Sequence, residues 1–70
     1  MLMKGDLVRI PQNTRATRFK SDSWVLTVVH KPEIGIVLKI NENKCTVLFD
    51  EDEWVVQMKD LQLLGNKNVH

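Results

Sequence analysis

The chain has no tyrosine, one cysteine, two prolines and three glycines. Its aromatic side chains are two phenylalanines and two tryptophans. A groove that docks proline-rich peptides is lined with several aromatics, tyrosines prominent among them, and this composition does not supply it. An aromatic cage around a methylated lysine would draw on Phe19, Trp24, Phe49 and Trp54, of which at least two are expected in the core. The single Cys45 excludes an intrachain disulfide and fits a reducing compartment. The glycines, Gly5, Gly35 and Gly65, stand alone, so no glycine-rich phosphate loop exists. The longest apolar run, Trp24 to Val29, falls far short of the ~20 residues of a membrane span. Met1 to Gly5 carries no signal-peptide core. The expectation is a soluble, cytoplasmic protein without membrane contact.

Seventy residues make one domain, with a small core and marginal stability. An apolar fraction of 43% is that of an ordinary folded domain. Charge is uneven along the chain. Residues 1–20 hold Lys4, Arg9, Arg15, Arg18 and Lys20 against Asp6, five cations to one carboxylate. Residues 42–60 hold Glu42, Asp50, Glu51, Asp52, Glu53 and Asp60 against Lys44 and Lys59. Either the two halves complement each other in the fold, or a basic face meets a polyanion.

The stretch from Pro32 to Leu64 carries the strongest pattern. Apolar runs at Gly35–Ile40, Cys45–Phe49 and Trp54–Met58 are separated by the polar segments Asn41–Lys44 and Asp50–Glu53. That cadence predicts an antiparallel β-meander. An earlier strand is predicted over Asp6 to Ile10, stopped by Pro11, with a bulge as one way to place its apolar residues. Trp24 to His30 is predicted as a strand whose two faces are both largely apolar, hence fully buried or part of an interface. Gln12 to Ser23 reads as a long loop, and loops of that length are often functional. Lys59-Asp60-Leu61 fits a single 3₁₀ turn, Gln62 to Leu64 a last strand, and Gly65 to His70 a polar tail.

The chemistry of catalysis is sparse. His30 and His70 are far apart and no Cys/His spacing suits zinc, so no metal is expected. Asp50-Glu51-Asp52-Glu53 lacks the glycine and spacing of a calcium loop and reads as a solvated turn. Cys45 should point into the core with Val47 and Phe49, without a histidine or basic partner nearby in sequence. Trp54 is assigned to the core and Trp24 to the surface. No enzyme activity and no cofactor are expected.

The segments Lys4-Gly5-Asp6-Leu7-Val8, Gly35-Ile36-Val37, Val47-Leu48-Phe49, Trp54 and Asp60-Leu61 occur in the order of an SH3-like barrel. From Lys4 to Leu64 the chain resembles that superfold. It is similar to nucleic-acid-binding barrels of the KOW type, to Tudor-like barrels, and to short proteins of large tailed bacteriophages. It also resembles the small barrels of photosynthetic electron transfer, namely the photosystem I reaction-centre subunit PsaE and the variable chain of ferredoxin–thioredoxin reductase. The resemblance implies an all-β fold, a small barrel of about five antiparallel strands with a long first loop. The function expected of such a barrel here is a non-catalytic interaction module or accessory subunit, in which the long loop Gln12 to Ser23 with Trp24 forms the contact and Arg15, Arg18, Phe19, Lys20 and Trp24 meet a protein partner. Self-association through barrel edge strands is a variant of that reading. The alternative is a nucleic-acid-binding barrel using Arg9, Arg15, Arg18, Lys20 and Lys31 on phosphates, with Phe19 or Trp24 stacking on bases. A second alternative, an electron-transfer subunit, implies a partner that carries the cofactor.

Overall fold

The computed structural model describes residues 2–65. The fold is all-β, with seven strands in one antiparallel sheet. In chain order they are β1 (Leu7–Ile10), β2 (Arg15–Lys20), β3 (Ser23–Val28), β4 (Glu33–Asn41), β5 (Lys44–Phe49), β6 (Asp52–Gln57) and β7 (Gln62–Gly65). A 3₁₀ turn over Met58–Asp60 precedes β7, one residue earlier than the sequence suggests. In space the order is β3-β2-β6-β5-β4-β1-β7. The end strands β3 and β7 are not paired with each other, so the sheet is open rather than a closed barrel.

The largest departure from the sequence reading is Gln12 to Ser23. The expected loop is mostly strand. Arg15–Lys20 pairs residue for residue with Ser23–Val28, from Arg15↔Val28 to Lys20↔Ser23. Ser21 and Asp22 alone make the turn, with φ of 53° and 65°. Two successive positive φ values give the left-handed turn whose twist matches that of flanking strands. The strand count therefore rises above the expected five. The residues left as true loop are Pro11 to Thr14, where Asn13 sits at φ 72° and the Thr14 amide donates to the Pro11 carbonyl.

Alternation sorts the side chains onto two faces. Val8 and Ile10 of β1, Ala16 of β2, Val37 of β4, Cys45, Val47 and Phe49 of β5, and Val56 of β6 point to the inner face and are buried. Val29, just past β3, joins them, and Leu2, Trp54, Met58 and Leu61 close over the margins. Leu7 points out, which removes the conflict its spacing from Ile10 poses in the sequence. The register does shift between Leu7 and Val8 against β7, and again between Val37 and Lys39 against β5. The second shift leaves Leu38 out of the pairing, and such bulges bend a strand.

Gly35 is buried in β4 opposite Val8. A Cβ there would lie 2.5 Å from Val47 Cγ1 and 2.8 Å from the Leu48 carbonyl oxygen. Side chains of the neighbouring strands fill the space a side chain of β4 would need. Gly35→Ala is expected to lower the unfolding free energy by about 2 kcal/mol, read by urea denaturation.

The acidic segment resolves into a turn and a strand start. Asp50 and Glu51 form a two-residue turn with φ of 51° and 67°, while Asp52 and Glu53 already belong to β6. Neither turn residue is glycine, and left-handed backbone costs an ordinary L-residue about 1–2 kcal/mol. The double substitution Asp50→Asn with Glu51→Gly, the preferred pair for this turn, is expected to stabilise the domain by about 1 kcal/mol. Thermal and urea unfolding of the variant beside the parent chain measures that gain.

Candidate binding face

The β2–β3 hairpin sits at one end of the sheet. Among the described residues β3 pairs only with β2, and β2 meets β6 in register only at Thr17↔Val55. At its base, backbone bonds tie it to the β1–β2 connection: the Asn13 amide donates to the Val29 carbonyl at 2.7 Å and the Val29 amide to the Thr14 carbonyl at 2.9 Å. On the inner side, Arg18 Nη1 donates to Asp52 Oδ1 at 2.6 Å. The guanidinium also lies 5.2 Å from the centre of the Trp54 ring. Trp54 in turn leans on Phe49, ring centres 6.0 Å apart. Arg18 thus joins the basic and acidic halves of the chain and clamps the hairpin to β6.

The sequence-derived contact residues divide between the two faces. Pairing places Arg15, Thr17 and Phe19 on the outer face with Val28, Leu26 and Trp24 opposite them. Phe19 and Trp24 pack edge to face, ring centres 5.3 Å apart, and remain 58% and 66% exposed. Leu26 beside them is 61% exposed. Arg18 is on the inner side and its side chain only 19% exposed. Lys20 is exposed at the hairpin tip, where its carbonyl accepts from the Ser23 hydroxyl. Arg9 is far along the sheet in β1 and donates to Gln62 Oε1 of β7 at 3.0 Å. Lys31 is exposed in the β3–β4 connection. The five cations named for phosphate contact do not converge on one surface.

Two lysines that the sequence reading did not single out are brought to the outer face instead. Lys39 of β4 pairs with Thr46, and Lys44 of β5 pairs with Asn41 and Gln57. A hollow of about 480 Å³ opens there, lined by Trp24, Thr17, Val55, Thr46, Lys39 and Lys44 among others. A second hollow of about 210 Å³ adjoins it, sharing Thr17, Lys44 and Val55 and adding Arg15 and Leu26. Alternation signals an outward Lys44, next to inward Cys45, but places Lys39 on the inward face of Val37; only the register shift between Val37 and Lys39 turns Lys39 outward.

Of the remaining candidate chemistry, Cys45 borders the larger hollow. Cys45 is buried with Val47 and Phe49 as expected, and burial pushes its thiol pKa up. A thiol so placed stays protonated at neutral pH. Trp24 is exposed and Trp54 half-buried against the core, in the sense the sequence indicates. Among the described residues, no three His, Cys, Asp or Glu side chains gather as a metal site, and no helix is long and apolar enough to cross a membrane. His70 lies outside the described residues. Comparison with protein-family models, curated proteins and solved structures finds no match to this chain.

Because Asp52 is half exposed, solvent screens its bond with Arg18. Arg18→Met is expected to destabilise the domain by about 1 kcal/mol, ion pair and ring contact together. Arg15→Met should leave stability within about 0.5 kcal/mol. Urea unfolding at low and high salt checks both, the Arg18 effect shrinking as salt rises.

Proposed function

We propose that this chain is a non-catalytic interaction module that docks a protein partner along the edge strand β3. The observation that carries the reading is the character of that strand. Ser23–Val28 contains no charged residue and no proline, and it stands at the end of the sheet with one side of its backbone unpaired among the described residues. Trp24, Val25, Leu26 and Val28 are exposed on its two faces. Edge strands of soluble proteins are usually blunted by charge, proline or a bulge. An edge without these devices suits strand addition, in which main-chain hydrogen bonds supply affinity and alternate side chains supply specificity. The large apolar side chains at the edge suit an anchor role in such a contact.

The fold reading belongs to the same proposal. β1, β4, β5, β6 and β7, with the 3₁₀ turn before β7, would form the five-strand SH3-like frame, and the β2–β3 hairpin would be its long first loop in strand form. The pairing of β1 with both β4 and β7 supports this arrangement. A cytoplasmic setting and an accessory role within a larger assembly are parts of the proposal.

The test is capture from nuclease-treated cytoplasmic extract with the tagged chain and with Val25→Lys, a change on the edge strand outside the hollows of the outer face. One protein retained by the parent chain and reduced at least tenfold by a folded Val25→Lys variant is the expected result. Equal recovery by both chains would overturn the strand-addition reading. Sedimentation velocity of the purified chain shows whether the partner is a second copy.

A further inference from the structure

The two adjoining hollows form one groove across the outer face, from β3 over β2, β6 and β5 to β4. Among the described residues three cations line it, Arg15, Lys39 and Lys44, and no carboxylate does. That separation is not a reflection of composition, since the whole chain carries ten basic residues and nine acidic ones. None of the three has an ion-pair partner among the described residues, whereas Arg18 on the inner side has Asp52. Two acidic residues flank the groove: Glu42, in the turn between the lining residues Asn41 and Lys44, and Glu53, which pairs with Leu48 and stands two positions along β6 from Val55.

The groove also has an aromatic wall. Trp24 lines the larger hollow, and Phe19, packed against its ring, is exposed beside it. Thr17, Asn41 and Thr46 add hydrogen-bonding groups to the lining. The ligand chemistry this selects has repeating negative charge and flat unsaturated rings. Tracks of cations with exposed aromatic platforms are the physical basis of single-strand binding, in which phosphates follow the basic residues and bases stack on rings. An acidic protein surface would satisfy the cations and leave the exposed tryptophan without a stacking partner. Duplex DNA would present its phosphates but keep its bases stacked on one another.

We infer that the Arg15–Lys44–Lys39 groove with Trp24 binds single-stranded nucleic acid. It differs from the surface that charge along the sequence suggests, because Arg9, Arg18 and Lys31 take no part. It shares Trp24 and Leu26 with the edge strand β3, but Val25, the residue that tests strand addition, faces the other side.

Fluorescence anisotropy with a labelled twelve-residue oligo-deoxythymidylate tests the inference on the full chain. Binding at 50 mM salt should weaken with a slope of about −2 in log K against log salt, as about three phosphate contacts require. Lys39→Glu with Lys44→Glu should lower affinity at least tenfold. Trp24→Ala should lower it about tenfold through lost stacking. Lys31→Glu, a charge change outside the groove, should leave it within about twofold, and Val25→Lys should do no more than that. Circular dichroism melting confirms that each variant is folded. No binding at millimolar oligonucleotide would overturn the inference. So would an equal loss from Lys31→Glu, tighter binding of duplex, or equal affinity for poly-glutamate that is unchanged in Trp24→Ala.

Discussion

A single sheet with no second layer can bury apolar surface only against itself, and this one does so at Gly35. There β4 contributes no side chain, and Val47 of β5 and Ile10 of β1 occupy the space above its backbone. The missing Cβ lets side chains from both neighbouring strands lean across the strand between them. The bulge beyond Val37 then bends β4, so that its first half serves β1 and its second half follows β5. Val8, Ile10, Val37 and Val47 are wholly excluded from water as a result. In so small a domain there is little other apolar surface to compensate for a loss at this point.

The hairpin β2–β3 is attached more lightly. It shares one registered pair with β6, contributes Ala16 to the core, and is held on its inner side by Arg18 against Asp52 and Trp54. The inner face of the sheet therefore carries the cohesive contacts, while the outer face carries exposed side chains. This division explains why neighbouring cations in sequence have different surroundings. Arg15 and Arg18 are three positions apart and fall on opposite sides of one strand. A basic segment counted along the chain is not a basic surface when it is extended.

Much of the fold was legible in the sequence. The meander from Gly35 to Met58 follows from apolar runs of strand length separated by turn residues, and β5 shows strict alternation from Cys45 to Phe49. The 3₁₀ turn and last strand follow from the short Lys59-Asp60-Leu61 punctuation. Gln12 to Ser23 was misread for a physical reason. Arg15, Thr17 and Phe19 face out while Ala16 is the strand's one buried residue, so β2 gives almost no hydrophobic signal of its own. Its strand character comes from pairing with β3, and the Ser21-Asp22 turn that enables the pairing lacks the glycine that usually marks it. The candidate groove was hidden for a related reason. Lys39 and Lys44 look like ordinary surface lysines until the register sets Lys39 in a row with Thr46, Val55, Thr17 and Leu26, and Lys44 beside Gln57.

The chain's first strand is bonded on one side to β4 and on the other to β7, the last strand described. Time therefore enters the architecture. As the chain leaves the ribosome, β1 emerges before either of its neighbours exists. The β2–β3 hairpin and the meander can form from local contacts, but β1 has only one flank covered until residues near 62 arrive. Completion of the sheet thus waits for β7, and a nascent chain halted after β6 would expose the side of β1 that β7 covers.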